Sequence, residues 1–132
     1  MKAHSENSTL LANFLSTNNK VGKVNHLSLG SHPHHSVAKK QMSNWGGMIS
    51  FEVGKDINDA KKFTDALQFC TQAPTLGDVD TLILHPATSS HLNVDKNLRL
   101  ENGITDNLLR VSVGIESIED IITDIERALN KL

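Results

Sequence analysis

Apolar residues recur along the chain at two periods, one helical and one strand-like. Leu10, Leu11, Phe14 and Leu15 fall on one helical stripe, closed by the turn-rich Ser16-Thr17-Asn18-Asn19. Val21 and Val24 predict a short strand through Leu27, followed by a polar loop with Gly30 and Pro33 and a short helix from His35 to Met42. After Gly46-Gly47, the alternation of Ile49, Phe51 and Val53 marks a half-buried strand that Gly54 ends. Asp56 stands at an N-cap position before Ile57, Ala60, Phe63, Thr64 and Leu67, which are spaced as on a helix. Phe69-Cys70-Thr71 reads as a brief strand and Thr81-Leu82-Ile83-Leu84 as another, stopped by Pro86. A short helix follows from Val94 to Glu101, ended by Gly103, and then a strand from Leu108 to Val113. Ser117 with Asp120 resembles a capping box, and Ile118, Ile121, Ile122, Ile125, Ala128, Leu129 and Leu132 form a broad apolar stripe behind it.

The sum is one compact α/β (α+β) layer, a mainly antiparallel sheet of about four strands with helices on one face. Several connections are too short for parallel crossovers, which take a dozen or more residues. At 132 residues the chain is long enough for one core, and its net charge of −2 argues against binding nucleic acid or anionic membranes by bulk charge. No apolar run approaches the ~18 residues of a membrane span, and no secretory signal is expected in the first thirty residues. The single cysteine, Cys70, excludes an intrachain disulfide and fits a reducing compartment.

Four groups of residues could carry chemistry. His32, His34 and His35, with His85 and His91 further on, raise the question of zinc, yet there is no second cysteine and no helical HExxH pair. A solvated loop with capping histidines is the plainer reading. Cys70, between Phe69 and Thr71, reads as a small buried hydrophobe rather than a nucleophile. Arg110 is sharper: it interrupts a strand between Leu109 and Val111, where a cation is costly unless an anion meets it. Its planar fork suits a carboxylate or phosphate. A salt bridge to one of the chain's own acids and an anionic ligand both remain open. The Thr75-Leu76-Gly77-Asp78 and Thr88-Ser89-Ser90-His91 segments are polar loops flanking a strand, of the kind that serve as turns or carry binding groups.

Ser31-His32-Pro33, Ala38-Lys39-Lys40-Gln41-Met42 and Gly46-Gly47-Met48-Ile49-Ser50-Phe51 together resemble a passage of the pyridoxal-phosphate (PLP) enzymes of cysteine and methionine metabolism. Thr75-Leu76-Gly77-Asp78, His85-Pro86-Ala87, Ser90-His91, Gly103-Ile104-Thr105 and Leu109-Arg110-Val111-Ser112-Val113-Gly114-Ile115-Glu116 follow in that family's order. The family includes cystathionine γ-synthase and γ-lyase, methionine γ-lyase and O-acetylhomoserine sulfhydrylase, and the resemblance covers the C-terminal third of a typical member. It implies the small C-terminal domain of a fold-type-I PLP enzyme at 16–132, with residues 1–15 as the helix linking it to a large domain.

What the resemblance carries over is the amino-acid end of the reaction. Arg110 matches the arginine that grips the substrate α-carboxylate, Thr75 a serine beside that carboxylate, and Ser90 a threonine lining the pocket. The cofactor-anchoring lysine belongs to a part of the family with no counterpart here, so the chain alone is expected to bind no PLP and to be inactive. Pro74 and Asp78 depart from the cystathionine-enzyme pattern toward a methionine γ-lyase or homoserine-ester sulfhydrylase type. The expected partners are an amino-acid substrate and either a large PLP domain or further copies of the chain in a homo-oligomer, in the cytoplasm. A domain lacking its larger half should uncover apolar surface that favours self-association, with the first helix a candidate for exchange between copies. From a different class, the chain could instead be a non-catalytic remnant or an oligomerisation subunit.

Overall fold

The computed structural model describes residues 1–132. The elements are α1 (Lys2–Thr17), β1 (Val21–Asn25), α2 (His35–Gln41), β2 (Met48–Val53), α3 (Ile57–Ala66), β3 (Thr71–Gln72), β4 (Leu82–Leu84), a 3-10 turn at Pro86–Thr88, α4 (Lys96–Glu101), β5 (Leu108–Ser112) and α5 (Ile118–Leu129). The strands form one sheet in the order β1-β2-β5-β4-β3. β5 lies at its centre, antiparallel to β2 with Ser50 opposite Arg110, and antiparallel to β4 with Leu84 opposite Arg110.

Alternation in the strands decides which face is covered. Ile49, Phe51 and Val53 of β2, Leu109 and Val111 of β5, and Ile83 of β4 point to one side. There they meet Leu11, Ala12 and Leu15 of α1, Ala60 and Phe63 of α3, and Ile121, Ile125, Ala128 and Leu129 of α5. Phe51 and Phe63 pack edge to face with centroids 6.0 Å apart, a favoured aromatic geometry. Arg110 and Ser112 therefore point to the opposite, outer face.

The fold departs from the sequence expectation in four places. The sheet has five strands, and the brief strand expected at Phe69-Cys70-Thr71 lies instead at Thr71–Gln72, where β3 pairs parallel to β4, while the Phe69 and Cys70 N–H groups are taken by Asp124. A parallel return through residues 73–81 needs no helix, because so short a strand spans only ~7 Å. Along α1, Leu10 is 50% exposed and the buried polar residues are Ser5 and Ser8. Their hydroxyls hold the neighbouring loops: Ser5 Oγ accepts from Trp45 N (3.0 Å) and Ser8 Oγ donates to the Gly46 carbonyl (2.6 Å). The predicted first strand stops at Asn25, because the chain folds back at the buried His26. Finally, Ser117 caps α5 without a box: its hydroxyl donates to Glu119 Oε2 (2.8 Å) rather than serving a backbone N–H of the first turn. By contrast, Asp56 accepts from Asn58 N and Asp59 N as its position predicts.

Candidate functional site

Arg110 stands in the middle of the outer face, in a row that runs Asn25, Ser50, Arg110, Leu84 across four strands. Its Nη2 donates to the carbonyls of Thr75 (2.8 Å) and Pro74 (3.3 Å). Its Nε is buried with no protein partner. No acid of the chain pairs with it, whereas Arg99, on α4, meets Asp106 at 3.0 Å. Of the two readings left open by the sequence, the internal salt bridge is thus absent. A guanidinium held by two carbonyls keeps its full positive charge, with donors to spare on its remaining nitrogens.

The 73–80 loop brings Thr75 to Arg110, through its backbone. The loop leaves β3 with Ala73 N donating to Ile83 O (3.1 Å), crosses the outer face, and is met there by Ser112, whose Oγ accepts from Gly77 N (2.9 Å). Gly77 has φ +81°, a left-handed conformation suited to glycine. On the far limb, Ile115 N donates to Val79 O (2.8 Å), and both the N–H and the hydroxyl of Thr81 donate to the Glu116 carboxylate. Gly114 must be glycine here: a Cβ would run into the Val79 carbonyl and the Glu116 carboxylate. Ser90 is placed apart from this pair. It is exposed, its hydroxyl lies 2.8 Å from Nδ1 of its neighbour His91 in a hydrogen bond, and it has no hydrogen bond to Arg110 or Thr75.

The histidines serve the scaffold. His85 Nε2 donates to Asp106 O (2.9 Å) while its Nδ1 accepts from the Thr88 hydroxyl (2.8 Å), which fixes a neutral tautomer. Burial pushes its pKa down, partly offset by the bond to Asp106 O. His26 works alike: Nε2 donates to Ser8 Oγ (3.1 Å), Nδ1 lies 2.7 Å from Ser28 Oγ, and burial lowers its pKa. His35 bonds Leu27 O (2.7 Å) and stacks on Trp45 at 5.1 Å, away from the tilted His32–His34 pair. No three His, Cys, Asp or Glu side chains are gathered so as to hold a metal ion.

Cys70 is buried, and both burial and the nearby Asp124 carboxylate push its thiol pKa up, away from nucleophilic thiolate. Asp124 itself is a residue that sequence reading missed. Only 2% exposed, it accepts from the backbone N–H groups of Gln68 (2.9 Å), Phe69 (3.0 Å) and Cys70 (2.8 Å) and pairs with Arg127. Burial works to raise its carboxyl pKa, but these donors outweigh burial and hold it below the usual range. Its signal was present: Asp124 lies three residues after Ile121 and four before Ala128, inside the apolar stripe, where a carboxylate needs partners. Glu116 and Ser112 were also passed over, though both lie in the Leu109–Glu116 segment.

Residues 1–130 match the family model described as Cys/Met metabolism PLP-dependent enzyme. The chain belongs to that family. It is 51% identical over 131 residues to a cystathionine beta-lyase of Lactococcus lactis subsp. cremoris (strain MG1363), covering 99% of this chain and 34% of that protein. It is 42% identical over 132 residues to an L-methionine gamma-lyase of Fusobacterium nucleatum subsp. polymorphum, covering all of this chain and 33% of that one. Among solved structures, cystathionine gamma synthase from Xanthomonas oryzae pv. oryzae in complex with cystathionine superposes with a TM-score of 0.93 at 37% identity, over 99% of this chain and 34% of that one. Cystathionine gamma-lyase from Lactobacillus plantarum complexed with L-serine gives 0.92 at 35% identity, with the same coverage. The chain thus spans about a third of the length of the relatives it matches.

The family's cofactor is PLP. The row around Arg110 offers a cation for a carboxylate, and contains neither a lysine nor an aromatic ring to hold a pyridine. These residues do not make a PLP site by themselves; what they present is a cation on the outer face of the sheet. No helix is long and apolar enough to cross a membrane.

Proposed function

We propose that this chain binds the α-carboxylate of an amino-acid substrate for a PLP-dependent carbon–sulfur lyase, with Arg110 as the anion-binding group. The carrying observation is a guanidinium in the central strand, facing outward, held by two carbonyls and matched by no acid of the chain. A substrate carboxylate supplies the missing anion, and two charge-assisted hydrogen bonds fix its plane. Fixing the carboxylate fixes the amino acid's α-carbon, which is a contribution of positioning. Thr75, beside Arg110 on the tethered loop, and Ser90 in the loop after the 3-10 turn are the further substrate-facing residues of this reading. PLP, when bound to the lysine-bearing part of such an enzyme, supplies the electron sink.

The names of the relatives favour lyase chemistry on a sulfur-bearing or homoserine-derived amino acid, since cystathionine beta-lyases, cystathionine gamma-lyase and methionine gamma-lyases recur among them. Pro74 and Asp78 favour, within that range, a methionine γ-lyase type or a homoserine-ester sulfhydrylase type. A large domain carrying the lysine is the partner this assignment requires, in the same polypeptide or another.

The test is titration of the isotopically labelled chain with L-methionine, L-cystathionine and L-homoserine, followed at the backbone amide resonances of Thr75, Gly77 and Val111, which wild type and variant share. Saturable shifts are expected, to be abolished in Arg110→Gln. Equal shifts in that variant would overturn the assignment. Mixed with PLP and L-cystathionine, the purified chain is expected to release no thiol above the free-PLP background.

A further inference from the structure

We infer that Ser112 is a positioning residue for carboxylate recognition, holding the Pro74–Gly77 segment at the height that presents Arg110 correctly; the inference rests on the carboxylate reading of Arg110. Arg110 and Ser112 are two residues apart on β5 and so share the outer face. Each reaches the loop that crosses them, and they reach it differently. Arg110 donates to carbonyls at 74 and 75, while Ser112 accepts the N–H at 77. Between the anchor at Ala73 and the anchor at Val79, these are the loop's only hydrogen bonds to the sheet.

Burial gives the hydroxyl its significance. Ser112 is 4% exposed and lies between Met48 and Leu82 in strand register. A hydroxyl at such a place is costly unless it is bonded, and its partner is the Gly77 N–H. That bond fixes the loop's depth. The two carbonyls ahead of it then converge on one guanidinium nitrogen, leaving Nε without a protein acceptor. Without the Ser112 bond, the segment from 74 to 78 is tied to the sheet by Arg110 alone. The guanidinium then has to be ordered at the moment of binding, which weakens binding.

The measurement uses the full chain in three forms: wild type, Ser112→Ala and Ser112→Thr. Without ligand, the Gly77 amide is followed by hydrogen exchange. With L-homoserine, and sodium chloride as the ionic control, affinity is read at the Arg110 side-chain resonance. The expected result is faster Gly77 exchange and about five- to tenfold weaker binding in Ser112→Ala, the worth of one hydrogen bond, with both restored in Ser112→Thr. If Ser112→Ala loses its fold, Ser112→Cys replaces it, keeping the volume while weakening the acceptor. Wild-type binding retained in Ser112→Ala or Ser112→Cys overturns the role of Ser112 and leaves Arg110 as the anion site. Wild-type protein that fails to bind overturns the carboxylate reading itself, and the role of Ser112 falls with it. Weakened binding that threonine does not rescue assigns Ser112 to packing and overturns the positioning role.

Discussion

Replacing Asp124 removes a single carboxylate on which a whole turn depends. In the native protein its two oxygens take three consecutive backbone N–H groups, at Gln68, Phe69 and Cys70, together with the Arg127 guanidinium. Asp124→Ala strips the partner from each. The N–H of buried Cys70 has no water to turn to, so its loss alone costs about 1–3 kcal/mol. The other two lie nearer solvent and add about 0.5 kcal/mol each. The ion pair, with Arg127 partly exposed, adds less than about 1 kcal/mol. The total is about 3 kcal/mol, a large part of the ~5–15 kcal/mol that keeps a domain folded. With a urea m-value of about 2 kcal/mol per molar, the midpoint should fall by about 1.5 M. Asp124→Asn keeps one acceptor oxygen and should lose about 2 kcal/mol. The acid limb supplies a second readout. Because the native carboxyl pKa is depressed, the stability it contributes is complete above the ordinary value of 3.8 and disappears as pH falls through the lower native value. That part of the acid destabilisation should be missing in Asp124→Asn. Urea midpoints for both variants within about 0.2 M of wild type would refute the reasoning.

Two other outcomes concern the scaffold. His26 is neutral in the fold with its pKa lowered by burial, so stability falls as pH drops below the ordinary value of 6.5 toward the lowered one. Urea midpoints measured from about pH 7 to about pH 5 should slope less in His26→Gln than in wild type, His85 and His32, whose pKa values are also lowered, contributing to the remaining slope. Gly114→Ala should cost about 3 kcal/mol, since its methyl group meets the Val79 carbonyl and the Glu116 carboxylate; a midpoint unchanged in urea would show that the 73–80 loop yields freely.

The elements legible in the sequence were those whose apolar spacing has one simple explanation. β2, with Ile49, Phe51 and Val53 alternating, and α3 behind Asp56 came out as their patterns require. α1 was harder, because two of its five buried residues are serine: Ser5 and Ser8 look like solvent positions until the 45–46 turn and His26 arrive from elsewhere in the chain to bond them. β3 has only two residues, too few to show a period, so the expected brief strand fell two residues early at Phe69–Thr71, and its pairing with Leu82 and Ile83 is what fixes its place. In the candidate site, Arg110 was conspicuous because a cation breaks an apolar strand. The partners that frame it are backbone carbonyls at 74 and 75, and backbone groups leave no mark in a sequence. Ser112 and Glu116 escaped notice for a related reason: each is an ordinary polar residue until the loop it holds is seen to pass over it.

The two margins of the sheet bear on how the protein behaves when crowded. At one margin, β1 breaks register against β2 between Val21 and Val24 and carries Lys23. At the other, β3 offers only Thr71 and Gln72 before the chain turns away. An irregular, charged margin and a stub are both poor templates for a strand from another molecule. The ladder that organises the fold thus offers little to edge-to-edge pairing, its central strand β5 being covered on both sides by β2 and β4.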